Sequence, residues 1–245
     1  MDAVLLVVIL YTYNIMNTII TNNFTLHVPD RYYHDNLTDR FKKGVYEKEE
    51  ITICKKYIKN NDNVLELGSC LGYIACNLSK ICNSVTSIEA NPELKDSLEL
   101  TKNVNNLNNV EFINGCLDIT NTEVDFQTYG NIVAGSADRE DLQINNVRGW
   151  GDTLKMYKVN TILLEDIKNH DKINVLVIDI EGGELTFLEK FKNFIETNIN
   201  KMCIELHGHL MKGGRTFDIQ CLGLIKQMGF KQIEQIGISY YFEKK

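Results

Sequence analysis

Asn63-Val-Leu-Glu-Leu-Gly-Ser-Cys-Leu-Gly72 decides the fold. Five residues of strand character run into a bend with glycine at each end, and an amphipathic stretch follows to Ile81. A β-strand gives way to a helix in this manner at the ligand edge of a parallel sheet. Without Cβ at Gly68 and Gly72 the bend can take positive φ and lie close to a bound molecule. The helix that follows offers N–H groups with no partner of their own.

Downstream the same alternation repeats. Strands are predicted over Ser84–Glu89, Val110–Asn114, Ile173–Asp179 and Lys201–Leu206. Helices are predicted over Gly72–Ile81, Pro92–Asn106, Thr161–Asn169, Glu184–Phe194 and Thr216–Met228. Asn91-Pro92 sets a capping residue before a proline at the first helical position, where its missing N–H costs nothing. Gly229 closes the last helix, and Phe230–Ile236 and Ile238–Phe242, parted by Gly237, read as a terminal hairpin. The fold expected is α/β: a mostly parallel seven-stranded sheet with a C-terminal antiparallel hairpin and helices on both faces.

Leu117–Asn160 breaks the alternation with Gly130, Gly135, Gly149, Trp150 and Gly151, and reads as a hairpin plus loops over the ligand edge. At 245 residues the chain suits one domain, with an N-terminal extension over 1–45, a domain over 46–245 and a substrate-side insertion at about 117–160. Val4–Leu10 is continuously apolar, but polar residues interrupt the following run to Ile20, and a membrane span needs about 20 predominantly apolar residues. No membrane association is expected unless that segment is an anchor. It reads as a dispensable or loosely packed extension, with Met16 as an alternative start.

A net charge of -7 and a pI near 5.3 oppose a surface that grips nucleic acid, which requires clustered Lys and Arg. Seven cysteines without metal-knuckle spacing read as reduced, mostly buried thiols, which points to a cytoplasmic protein.

Glu89 ends the second strand of the alternation, 17 residues after Gly72. A carboxylate there can accept both ribose hydroxyls of an adenosine. Nicotinamide binders share that acid, but their G-x-G-x-x-G turn would need glycine where Cys70 stands. No diphosphate has to be cradled, so an adenosine bearing a cationic sulfonium and an amino-acid tail is the better fit. The cofactor residues expected are Glu66, Gly68, Ser69, Gly72, Glu89 and Ala90, with Gly115 and Cys116 after the third strand at the adenine edge. A Glu at 66 is also placed simply to satisfy nearby backbone donors.

Glu66–Gly72, Ile88–Pro92, Val177–Leu185 (V-I-D-I-E-G-G-E-L) and Ile204–His207 (I-E-L-H), in this order and spacing, resemble the FkbM-type methyltransferases. The D-x-E-G-x-E segment, Asp179, Glu181, Gly182 and Glu184, is the most specific, and Val159–Thr161 before Leu164–Asp166 is similar to the family's preceding element. The likeness covers roughly Asn63–Lys245. It implies a Rossmann-like fold, S-adenosylmethionine as cofactor and methyl transfer to a hydroxyl, often on a sugar or glycosylated small molecule. Ser69-Cys70 stands where the family often has Ala-Asn, and the pocket-lip sequence His207-Gly-His209 with Lys212-Gly-Gly-Arg215 is not matched to the family's pattern, which leaves the acceptor open.

A hydroxyl acceptor needs a group to take its proton. Asp179, Glu181, Glu205 and His207 are the candidates, because they lie at the carboxyl ends of two strands where the crevice of an open sheet opens. Either His207 acts as base, oriented by Asp179 or Glu205, or Asp179 and Glu205 hold Mg or Mn that acidifies the acceptor. Helix capping by Asp179 and Glu181, and a backbone-bonded His207, are the structural alternatives. A nucleoside or RNA acceptor, or an inactive cofactor-binding interaction module, stays open beside the glycan acceptor.

Overall fold

A computed structural model of the chain describes residues 16–21, 23–129, 131–137 and 154–244. Readings placed on residues 1–15 and on the loop around Trp150 fall outside them.

The described chain opens with β1 (Met16–Ile20), β2 (Thr25–Pro29), α1 (Asp35–Lys42) and α2 (Lys48–Tyr57). The alternating part follows as β3 (Asn63–Leu67), α3 (Tyr73–Leu78), β4 (Ser84–Glu89), α4 (Lys95–Val104) and β5 (Val110–Asn114). Then come β6 (Cys116–Leu117), β7 (Glu123–Tyr129), β8 (Asn131–Ala137) and β9 (Leu154–Ile162). The chain closes with β10 (Val175–Ile178), α5 (Glu184–Lys190), α6 (Lys192–Asn198), β11 (Lys201–Glu205), α7 (Arg215–Gln227), β12 (Phe230–Ile236) and β13 (Ser239–Lys244).

Seven strands form one sheet in the order β12-β13-β11-β10-β3-β4-β5. The central pairs are parallel, with Val175 beside Val64, Val64 beside Val85 and Val175 beside Lys201. β13 runs antiparallel to both β11 and β12, around a turn at Gly237. A strand with helices on both sides must be apolar throughout, and Val175–Ile178 is buried at every position. Val64, Val85, Val175, Val177 and Cys203 pack on the face of α2, α3 and α4, whereas Leu65, Leu67, Leu176, Ile178 and Ile204 pack on the face of α5, α6 and α7. The expected α/β class and its two helical layers stand.

Three local readings are corrected. Thr161–Asn169 is not a helix: Thr161 and Ile162 end β9, Thr161 Oγ1 is tied to the carbonyls of Thr120 and Thr122, and 3₁₀ turns follow at Leu164–Asp166 and His170–Lys172. The helix from Glu184 breaks at Phe191, whose backbone leaves the helical region, and becomes α5 and α6. Residues 117–160 hold more strand than one hairpin, because β7 pairs antiparallel with both β8 and β9 and β6 pairs parallel with β9, giving a separate four-stranded sheet in the order β6-β9-β7-β8.

The described residues ahead of residue 45 pack on the main body. Leu26, Val28 and Tyr32 are fully buried in the core that also holds Leu94 and Leu98, and the His27 and Thr25 amides donate to Thr101 Oγ1 and Asn105 Oδ1, each at 2.9 Å. All seven cysteines are free thiols. No helix among the described residues is long and apolar enough to cross a membrane.

Candidate active site

The bend after β3 is fastened to its neighbours by backbone. Gly68 and Ser69 amides donate to the Ile88 carbonyl at 3.0 and 3.2 Å, and the Asp179 amide donates to the Leu67 carbonyl at 3.0 Å. Gly68 has φ +93, and a Cβ built there would overlap the Asp179 carbonyl oxygen. Gly72 has φ +76, and a Cβ there would press at 3.0 Å on Leu98 and Phe112. Both glycines are therefore required by geometry, since an L side chain at this φ is strained even where space exists. The bend touches the end of β10, so the glycine turn and the acidic strand end are adjoining parts of one crevice.

Glu89 ends β4 behind the bend. Its two oxygens accept from the Cys70 and Asn91 amides, both at 2.7 Å, so the carboxylate pins the bend to the Asn91-Pro92 turn. Burial pushes it up to about 7, against the pull of those backbone donors. Each oxygen keeps a second lone pair for a ribose hydroxyl. The Asn114 amide group adds bonds to the Glu89 and Asn91 carbonyls at 2.8 and 3.1 Å. Gly115 donates its N–H to the Glu89 carbonyl at 2.8 Å, and Cys116 follows in β6 beside Thr161. Ala90 and Gly68 are partly exposed beside these groups. Glu66 and Ser69 lie beneath the bend instead, 1% and 3% exposed. Ser87 donates to Glu66 and sits 2.5 Å from Ser69 Oγ. Burial pushes the Glu66 carboxyl up to about 8.

Sequence reasoning did not find what holds the Asn91-Pro92 turn from outside. Arg31 Nη1 bonds both Glu93 oxygens at 2.6 and 2.7 Å, Tyr32 donates to Glu93, and Lys155 Nζ reaches it at 2.9 Å. Residues from the N-terminal segment and from β9 thus meet on the residue after Pro92. Burial works against the Glu93 charge, but these donors prevail and hold its carboxyl down at about 2.

The four catalytic candidates come together at the ends of β10 and β11. His207 is 3% exposed, and its Nε2 stands 3.5 Å from Asp179, 3.6 Å from Glu181 and 3.8 Å from Glu205. The group that orients the ring is neither Asp179 nor Glu205, as the sequence suggested, but Glu184. Its Oε1 lies 2.8 Å from Nδ1 and also accepts from the Gly182 amide at 3.1 Å. Glu184 is fully buried, and its bond to Nδ1 turns Nε2 toward the three acids. The signal was on the page, as the last letter of D-x-E-G-x-E at the first turn of α5.

Burial opposes a charge on His207, yet Glu184, Glu181 and Asp179 raise its affinity for a proton well above the ordinary value. Asp179 is pushed up by burial despite His207, and Glu181 is pushed up to about 7 by burial. Glu205 is tied by Ser239 Oγ at 2.5 Å. One ligand atom each from Asp179, Glu205 and His207 lies within 4.8 Å of the others, and a second such group joins Asp179 to Glu47 and Glu50. Glu47, Cys70 and Glu181, all non-glycine residues with φ near +50, border this crevice, and such strain gathers where a site dictates the backbone.

Adenosyl sulfonium fits this crevice by its donor set. The glycine bend lies close against the end of β10 as bare backbone, Glu89 keeps acceptor capacity beyond its bonds to the Cys70 and Asn91 amides, and the acidic rim suits a cation.

The model of the methyltransferase FkbM domain matches residues 66–232. No curated protein matches the chain. Among solved structures, a tRNA m1G37 methyltransferase of M. jannaschii is similar at 12% identity and a TM-score of 0.51, over 94% of this chain and 57% of that one. Trm5b of Pyrococcus abyssi is similar at 13% identity and a TM-score of 0.49, over 93% and 54%. TYW2 of M. jannaschii in complex with AdoMet is similar at 13% and 0.49, over 96% and 90%. The chain thus spans about half the length of two of them, and what it shares with the first is the fold.

Proposed function

The chain belongs to the methyltransferase FkbM domain family, and on that premise we propose that it transfers a methyl group from S-adenosylmethionine to a hydroxyl, with a sugar of a glycan or glycosylated small molecule as acceptor. The observation that carries the reading is the buried Glu184–His207 pair at 2.8 Å, whose second imidazole nitrogen, Nε2, faces Asp179, Glu181 and Glu205. The bound cofactor supplies an electrophilic methyl on its sulfonium.

The protein's own part has three elements. Gly68, Gly72 and Glu89, with Ala90, Gly115 and Cys116 alongside, form the adenosyl side, and Glu66 and Ser69 support the bend from beneath. Asp179, Glu181 and Glu205 hold the acceptor by its hydroxyls. His207 Nε2 takes the acceptor proton as the oxygen attacks, and Glu184 stabilises the imidazolium that results. General-base assistance of this kind contributes about 10²–10⁴ in rate.

Mg or Mn on Asp179 and Glu205 is the alternative use of the same face. A nitrogen that binds an ion cannot also take a proton, so a set made of Asp179, Glu205 and His207 excludes the base role. Nucleic acid is a poorer acceptor, because Asp179, Glu181 and Glu205 would face its phosphates and the chain carries a net charge of -7.

Calorimetric titration with S-adenosylmethionine and with NAD, followed by a methyl-release screen over monosaccharides, nucleosides and tRNA with and without chelator, tests this. Binding of the first and methylation of a sugar hydroxyl are expected. Binding of NAD in its place, or turnover confined to RNA, overturns the reading.

A further inference from the structure

A second group of acids meets at Asp179, formed by Glu47 and Glu50. Helix α2 starts beside the end of β10, and Glu47 and Glu50 at that start turn toward it. One carboxylate oxygen from each of Glu47, Glu50 and Asp179 lies within 4.8 Å of the other two. Glu50 is 2% exposed, and its Oε2 has no hydrogen-bond partner; Asp179 Oδ1 has no hydrogen bond either and faces His207 Nε2. Carboxylates removed from water without partners are among the costliest groups to bury, so they persist where a cation or protons offset the charge. The ion pairs formed by these three among the described residues involve His207 alone, at 3.5 Å from Asp179. The other groups facing the set are Glu205, Glu181 and Cys54, with Arg40 acting on Glu47.

Glu47 takes the left-handed conformation, φ 48 and ψ 33, immediately before the helix, and its side chain caps nothing. Tyr46, one residue earlier, places its hydroxyl 3.4 Å from Cys70 Sγ in the glycine bend. The start of α2 is therefore tied to the cofactor turn on one side and directs two acids at the catalytic strand on the other.

We propose that Glu47, Glu50 and Asp179 hold one divalent cation of the hard, oxygen-seeking class, Mg, Mn or Ca, between α2 and the end of β10. Three carboxylates satisfy the preference of such ions for oxygen and leave positions of a six- to eight-ligand shell for water or acceptor hydroxyls. An ion here leaves His207 Nε2 free, so base and metal operate together instead of competing for one nitrogen. Burial pushes the Glu47 carboxyl up to about 7 and raises that of Glu50, so without an ion the cluster is held by protons. The placement of acceptor oxygens on the ion rests on the proposed methyl transfer; the ion site itself does not.

The test uses the full chain, stripped with EDTA and dialysed, then titrated with MnCl2 alone and followed by calorimetry and by the electron-spin signal of free Mn2+. One saturable Mn2+ per chain is expected, displaced by Mg2+ or Ca2+ and bound at least about tenfold more weakly by Glu50→Gln and Asp179→Asn. In EDTA, Glu50→Gln is expected to melt no lower than the parent, because glutamine keeps the shape and neutrality of the protonated acid, and to gain less on adding Mn2+. Absence of saturable binding, or equal Mn2+ affinity in Glu50→Gln, overturns the site. Loss of S-adenosylmethionine affinity in Glu50→Gln without Mn2+ binding overturns it too, assigning these acids to the cofactor's ammonium group. Mn2+ binding by an enzyme that methylates no sugar would leave the site standing and remove the acceptor reading.

Discussion

Replacing Gly68 by alanine tests the junction on which the whole crevice depends. The added methyl meets backbone, overlapping the Asp179 carbonyl oxygen and lying 2.8 Å from its carbon, so no rotamer change relieves it. The residue must also hold φ +93, a region that costs an L side chain about 1–2 kcal/mol. Overpacking a closed site typically costs a further ~1–3 kcal/mol. Together these predict a loss of about 2–5 kcal/mol, and at ~2–4 °C per kcal/mol for a chain of this size the melting temperature should fall by about 4–20 °C. Gly44→Ala is the matched control, with φ +64 but nothing within 4 Å of the new methyl, so it carries the conformational cost alone. Thermal melts of the three proteins, with calorimetric titration of S-adenosylmethionine, give the comparison. Gly68→Ala should be the less stable variant and should lose cofactor affinity, since β3 and β10 can part only by moving the bend. Equal melting temperatures for the two variants, with parental cofactor binding in both, would refute the claim that the bend and Asp179 share one close contact.

Glu89→Gln keeps the shape but removes the charge that would receive the ribose, and should weaken cofactor binding by about 10–100-fold, the usual worth of a hydrogen bond to a charged group; parental affinity by calorimetry would place the ribose elsewhere. His207→Ala should lower kcat by about 10²–10⁴ while cofactor affinity is retained, and Glu184→Gln should lower it less and shift the pH profile. A small uniform loss in both, with an unmoved profile, would make the pair structural. The rate in the parent should rise with pH through an apparent pKa above histidine's ordinary 6.5, because Glu184, Glu181 and Asp179 outweigh burial. Stability should run the other way. Glu66 and Glu89 have folded values of about 8 and about 7 against an ordinary 4.5, so between pH 4.5 and those values the folded chain holds protons that the unfolded chain has released. Stability therefore falls as pH rises through that window, by at most about 1.4 kcal/mol per pH unit for each group. Melts from pH 5 to 8.5 should show the decline, and a smaller one in Glu66→Gln; a flat profile, or one that rises, contradicts the burial of these acids.

Much of the architecture was legible because it is written in short-range periods. A buried parallel strand such as Val175–Ile178 is a run of β-branched and apolar residues, and Gly68 and Gly72 mark a bend whatever surrounds it. Where tertiary packing sets the local state, the reading failed. Thr161–Asn169 has helical spacing, but the bonds of Thr161 to the chain at Thr120 and Thr122 hold it in strand, a contact some forty residues away. The N-terminal segment shows no helix-strand alternation of its own, so its place against α4 could not be read before Leu26 and Val28 were seen beside Leu94 and Leu98.

The sequence by itself determined the class of fold, the glycine bend, the acid after the second strand of the alternation and the acids at the ends of β10 and β11. Each depends on residue type and spacing within a few turns of chain. Only the tertiary structure decided which carboxylate orients His207 and which acids from α2 join Asp179. Those meetings depend on the strand order β12-β13-β11-β10-β3-β4-β5, which brings the ends of β3, β10 and β11 side by side, and on the packing of α2 against β11 and β13. Glu50 and Asp179 are 129 residues apart, and no local periodicity carries information across such a distance.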